Sequence, residues 1–169
     1  MKLNLGAGYK HIDGYKSVDF RKVTKPDYLI NLENERCLKR FKTNSIEEIY
    51  TSSTLEHIKN IQELMSEIYR VCKPNAKVII CVPHWGNQSS VEDPTHVRYF
   101  TENSMNYFDK DLVGSDSHLI TIPYDFKIEG LVLNPKPEYK GLNAEQLIKK
   151  SHKYLNVINK MVFTLRVNK

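Results

Sequence analysis

Short runs of alternating apolar and polar residues dominate the first third of the chain. Lys2 to Leu5 (KLNL), Lys16 to Phe20 (KSVDF), Tyr28 to Leu32 (YLINL) and Glu47 to Ser52 (EEIYTS) predict four strands, short enough to suit a buried parallel sheet. The period then changes. Over Asn60 to Cys72 (NIQELMSEIYRVC), Ile61, Leu64, Met65, Ile68 and Cys72 recur at three- and four-residue spacing, which predicts an amphipathic helix stopped by Pro74. Lys77 to Val82 (KVIICV) follows as an unbroken apolar run, the pattern of a strand covered on both faces. Helix into buried strand is the rhythm of a βαβ unit. Periodicity is lost from Pro83 to Phe100 (PHWGNQSSVEDPTHVRYF), where His, Asn, Ser, Asp, Arg and aromatics crowd together. Thr101 caps a short helix, TENSMNYF. A strand from Asp125 to Leu133, a helix from about Asn143 to Asn156 and an alternating strand from Val162 to Val167 complete the pattern. The expected fold class is α/β: a mostly parallel sheet with helices on both faces and an antiparallel edge strand near the C-terminus, in one domain over residues 1–169.

Composition narrows the setting. A chain of 169 residues can bury a full apolar core. The three cysteines, Cys37, Cys72 and Cys81, are odd in number and lack CxxC spacing, so core thiols in a reduced intracellular protein are expected, and no metal is called for. No apolar run approaches the roughly 20 residues of a membrane span, which predicts a soluble, cytoplasmic protein with no membrane partner. The net charge of +5 permits nucleic acid as a partner, but the lysines are scattered and no arginine-rich stripe appears, so it is not favoured.

The first strand runs straight into Gly6-Ala7-Gly8, and the second ends in Asp19. Gly-x-Gly after a strand lets the backbone turn sharply and approach a ligand, and an acid ending the next strand can accept bonds from both ribose hydroxyls. A dinucleotide fingerprint would need glycine where His11 stands and an acid about 20 residues on; Asp19 comes too early. No Gly-Lys-Ser/Thr follows, so a P-loop is excluded as well. A ligand with an adenosyl ribose and no pyrophosphate remains, which is S-adenosylmethionine. Ala7 to Tyr15 is also shorter than the dozen or more residues a parallel crossover usually takes, so the first helix is expected to be shortened or absent.

Six pieces in order, LNLGAG (Leu3–Gly8), SVDF (Ser17–Phe20), INL (Ile30–Leu32), IEEIYTSSTLEHI (Ile46–Ile58), EIYRVCKPNAKVIICVPHW (Glu67–Trp85) and DPTHVRYFT (Asp93–Thr101), resemble the class I S-adenosylmethionine-dependent methyltransferases. They look especially like a small group whose first strand reads LNLGCG and whose glycine loop passes quickly to a strand ending VD, often found near glycan genes. The resemblance implies a Rossmann-like sheet. It implies that Leu5, Gly6, Ala7 and Gly8 approach the methionine part of the cofactor, Asp19 the ribose, Phe20 the adenine, with Asn31, Leu32, Ser52 and Ser53 completing the cofactor site. Each has a plainer reading too: Phe20 and Leu32 as core residues, Ser52 and Ser53 as caps of the LEHI turn. The chain departs from the family pattern at Asn4, Lys10, Asn75 and Ala76, where the family has an acid, a third glycine and Gly-Gly.

Methyl transfer to a protonated oxygen or nitrogen benefits from a base with a pKa near neutrality. His84 and His96 are the candidate catalytic residues, and Trp85, Asp93, Arg98 and Tyr99 the candidates for binding an acceptor. His57 is read as structural, fixing the start of the following helix. Two functions stay open: a methyltransferase acting on a small-molecule or sugar-type acceptor, and a non-catalytic or nucleic-acid-associated S-adenosylmethionine-binding module of the same fold. The oligomeric state is not legible.

Overall fold

Seven strands form one sheet in the order β3-β2-β1-β4-β5-β7-β6 in the computed structural model, which describes residues 1–113 and 122–169. They are β1 (Lys2–Leu5), β2 (Tyr15–Asp19), β3 (Tyr28–Leu29), β4 (Ile46–Ser52), β5 (Cys72–Pro83), β6 (Phe126–Pro135) and β7 (Ile158–Val167). The first five pair in parallel, while β7 runs antiparallel to both β5 and β6. This is the mostly parallel sheet with an antiparallel C-terminal edge that the pattern predicts.

Among the described residues α-helices are sparse: α1 (Ile61–Val71), the single turn α2 (Gln88–Val91) and α3 (Ala144–Ser151). No helix links β1 to β2, in keeping with the short connection. The next two crossovers also lack an α-helix; one holds only a 3-10 turn, Lys22–Thr24. Glu67 and Arg70 of α1 do the work of the missing helix before β4. They pair with each other at 2.6 Å, Glu67 accepts the Leu38 amide, and Arg70 donates to the carbonyls of Leu38 and Phe41. The connection is thereby pinned to α1 by charge-assisted bonds.

Asn60 caps α1 by accepting the Glu63 amide, and the helix ends at Val71, before Pro74 can act as its stop. The strand begins earlier than its apolar run suggests, with Asn75 in the left-handed region (φ 62°), the conformation glycine would supply. Asn143 and Gln146 form a capping box on α3, which is shorter than expected.

Register assigns the two faces of the sheet. Leu3, Leu5, Val18, Ile49, Val78, Ile80, Phe163 and Leu165 share one face and belong to a single buried core with Ile61, Leu64, Met65 and Ile68 of α1 and Leu147 of α3. The other face carries Tyr15, Glu48, Tyr50, Ile79, Cys81 and Val162, half-buried, and Val132, exposed. The helical cover is thus concentrated on one face, because the crossovers that would supply the other are too short. No helix among the described residues is long and apolar enough to cross a membrane.

Candidate functional site

The carboxyl ends of β1, β2 and β4 gather the glycine turn, Asp19 and Ser52–Thr54. Gly6 (φ 65°) and Gly8 (φ 56°) both lie in the left-handed region. A Cβ on Gly6 would overlap the Thr54 side chain, so a protein neighbour already demands glycine there. Ala7 is buried against the core, and its amide donates to the Val18 carbonyl. Asn4, buried, donates through its side-chain amide to the Lys10 carbonyl and ties the turn back onto β1. An acid at this position could not make that bond.

Asp19 is 3% exposed yet fully engaged. Its Oδ2 accepts the Gly8 amide at 2.8 Å; its Oδ1 accepts the Arg21 amide at 2.8 Å and Arg21 Nε at 3.1 Å. Burial works to raise its pKa, but the bonds from Arg21 and Gly8 outweigh it and hold the carboxyl below its ordinary value. Phe20, next along, is 65% exposed rather than a core residue, with the Arg21 guanidinium 5.9 Å from its ring centre. Leu32 joins the core, and exposed Asn31 accepts the Glu33 amide. Ser52 ends β4, and Ser53 takes a left-handed φ of 50°, a costly conformation for a side-chain-bearing residue.

The segment after β5 separates the two candidate histidines. His84 is 1% exposed; its Nδ1 accepts the Gly86 amide, and its Nε2 faces Glu102 at 3.5 Å. Burial pushes its pKa down despite Glu102. His84 is thus buried with its Nδ1 lone pair already bonded. His96 donates Nδ1–H to the Ser90 carbonyl at 2.8 Å, which leaves the Nε2 lone pair free. Its ring meets that of His57 edge-on at 4.7 Å between centres.

His57 does not fix the start of α1, which Asn60 caps; it bonds Thr95 Oγ1 at 2.9 Å. Beside the two rings lies Glu56, 1% exposed, with no hydrogen-bond partner for Oε2 among the described residues and its carboxyl pKa raised by burial. Sequence reasoning missed Glu56, and it missed the Glu56–His57–His96 grouping because the partners lie far apart along the chain. The EH pair followed by a later THV was the available signal.

The acceptor candidates scatter. Arg98 spends its guanidinium on the carbonyls of Ile58 and Lys59. Asp93 accepts the amide and hydroxyl of Thr95. Trp85 is partly exposed beside His84, and Tyr99 is exposed. A cleft of about 440 Å³, lined in part by Ile61, Arg98, Tyr99, Phe100, Tyr107 and Tyr124, opens next to this segment; neither the glycine turn nor Asp19 reaches it. The left-handed Gly6, Gly8 and Ser53 and the buried Asp19 lie at the strand ends, apart from this cleft.

A mostly parallel sheet whose first strand turns on Gly-x-Gly and whose second ends in a buried acid is a Rossmann-like arrangement. Residues 15–80 match the methyltransferase domain family. Solved structures with the same fold include an S-adenosylmethionine-dependent methyltransferase from Archaeoglobus fulgidus (17% identity, TM-score 0.64, 98% of this chain and 85% of that one). Another from Mesorhizobium loti has 14% identity and a TM-score of 0.56, over 98% and 89% of the two chains. The [4+2]-cyclase SpnF is also similar, at 11% identity and a TM-score of 0.62, over 99% and 74%. No functionally curated protein matches the sequence.

Proposed function

We propose that this chain binds S-adenosylmethionine at the ends of β1, β2 and β4 and transfers its methyl group to a small-molecule or sugar-type acceptor. The observation that carries the reading is Asp19: a buried carboxylate at the end of β2, bonded to the Gly8 amide and adjoining the exposed ring of Phe20. A ribose diol needs such an acceptor, and an adenine needs such a ring. The matched methyltransferase domain family and the fold shared with the A. fulgidus enzyme support it.

In this reading Gly6, Ala7 and Gly8, with Leu5, offer backbone to the methionine part, and Asn31, Leu32, Ser52 and Ser53 border the remainder. The cofactor supplies an electrophilic methyl on a sulfonium. The chain's own contribution is to hold the acceptor in line with it and to take up a proton. His96 is the proton acceptor, since its Nε2 lone pair is free while the Nδ1 lone pair of His84 is bonded. The aromatic cleft beside Tyr99 is the acceptor pocket.

Calorimetry with S-adenosylmethionine and with S-adenosylhomocysteine tests the reading. Saturable binding that Asp19→Ala weakens roughly 10- to 100-fold is expected; no heat and no shift in melting temperature with either ligand would overturn it. The cyclase among the similar structures keeps a second reading in play, binding without methyl transfer. It predicts ligand binding with no radiolabelled methyl passed to a panel of sugar and phenolic acceptors.

A further inference from the structure

We infer that Glu56, His57 and His96 form a binding site for a divalent transition-metal ion. One donor atom from each lies within 4.8 Å of the others. A tetrahedral metal held at about 2.1 Å spaces its donors roughly 3.4 Å apart, so closure asks the three side chains to draw together by up to about 1.4 Å.

The hydrogen bonds around the cluster prepare both rings. The Ser90 carbonyl can only accept, so His96 carries its proton on Nδ1 and presents Nε2 as a lone pair. Thr95 donates its single hydroxyl proton to Asp93 Oδ1 at 2.6 Å, so it must accept from His57 Nδ1, and His57 likewise presents Nε2. Outer partners that fix the tautomer of both histidines in this way are the usual support of a metal site.

Glu56 supplies the second, independent observation. A carboxyl 1% exposed, with an oxygen that has no hydrogen-bond partner among the described residues, can stay ionised at low cost only where a cation meets it. The two segments that carry the donors are locked together, since the amides of Val97 and Arg98 both donate to the Glu56 carbonyl. Asp93 Oδ2 stands 3.8 Å from His96 Nε2, a fourth donor within reach. Two imidazole nitrogens and a carboxylate favour Zn²⁺, Co²⁺ or Fe²⁺ over Mg²⁺ or Ca²⁺ and leave positions open for an exchangeable ligand. If the methyl-transfer reading holds, on which this last role rests, the ion would make a bound acceptor hydroxyl more acidic, its proton would pass to solvent, and His96 would be a ligand in place of the base named above.

The test is titration of the metal-free full chain with Zn²⁺ by calorimetry and with Co²⁺ by visible absorption, both without S-adenosylmethionine, so that failure here leaves the cofactor reading standing and the reverse. One equivalent bound with micromolar or tighter affinity is expected. Glu56→Gln and His96→Ala should each weaken it at least ~10-fold with unchanged circular dichroism, while His152→Ala, at an exposed position, should not. Histidine ring NMR of the unmodified chain gives a readout independent of any variant: on adding Zn²⁺, the His57 and His96 signals should shift. No saturable binding, equal affinity in both cluster variants, or shifts confined to other histidines would overturn the site.

Discussion

Two regions at the same edge of the sheet each bury a carboxylate, and they treat it in opposite ways. At the end of β2, Asp19 is enclosed by the Gly8 amide and by Arg21, and both oxygens are bonded. Just past β4, Glu56 is buried even more completely, and Oε2 has no hydrogen-bond partner among the described residues. The pKa directions follow: bonding draws Asp19 down against the effect of burial, while burial lifts Glu56. A ligand reaching Asp19 must therefore exchange partners with Arg21, whereas one reaching Glu56 displaces no protein bond at Oε2.

The strongest way to break the first region is Gly6→Ala. It combines overlap with Thr54 and a left-handed backbone that alone costs ~1–3 kcal/mol. Melting should fall by several degrees and ligand binding should vanish, and Thr54→Gly should restore part of the melting temperature. Recovery of none would mean that backbone strain, not the Thr54 contact, decides.

Asp19→Ala comes next. It removes charge-assisted bonds of the kind worth ~1.5–3 kcal/mol, so affinity for S-adenosylhomocysteine should drop roughly 10- to 100-fold. An unchanged calorimetric constant would remove Asp19 from the site.

Arg21→Ala sharpens the contrast, because it frees Asp19 without deleting it. Half-exposed Arg21 makes an ion pair of modest worth, ~0–1 kcal/mol, so the unliganded protein should melt only slightly lower while cofactor affinity rises severalfold. Weaker binding would show that Arg21 assists the ligand rather than competing with it.

The smallest effect belongs to His84. Its folded pKa lies below the ordinary value of about 6.5, so the unfolded chain takes up its proton first as pH falls. Its contribution to stability is present above about pH 6.5 and is lost as pH drops through the folded value. His84→Asn, which keeps an acceptor for the Gly86 amide, should flatten the decline in melting temperature between about pH 7 and 5. Superimposable profiles would assign that decline to other groups.

Local patterns made much of the fold legible. β1, β2, β4 and α1 stand within a residue or so of their apolar runs, and the short Ala7–Tyr15 connection does lack a helix. Errors arose where geometry overrides pattern. Asn75 turns left-handed and lets β5 begin before Pro74, and helix-free crossovers leave one sheet face without the cover expected of it. At the candidate site, the glycine turn and Asp19 are contiguous enough to be read from order alone. Thr54 against Gly6, Arg21 on Asp19, and Glu56 beside His57 and His96 depend on packing between segments, and residue type carries no trace of which segments meet. His84 and His96 look equivalent in sequence; only burial and the bonding of each Nδ1 divide them.

The strand order also bears on how the chain is made. β6 leaves the ribosome before β7, yet in the finished sheet its pairing partner is β7, which lies between it and β5. Until residues near Val167 emerge, Leu131 and Leu133 have neither a neighbouring strand nor the rest of their core, and the edge of β5 stays unpaired. The N-terminal strands can assemble during synthesis through short connections, but the sheet closes only on the final segment. A stalled chain ending near Asn156 would therefore present two unpaired edges, the form most prone to aggregate.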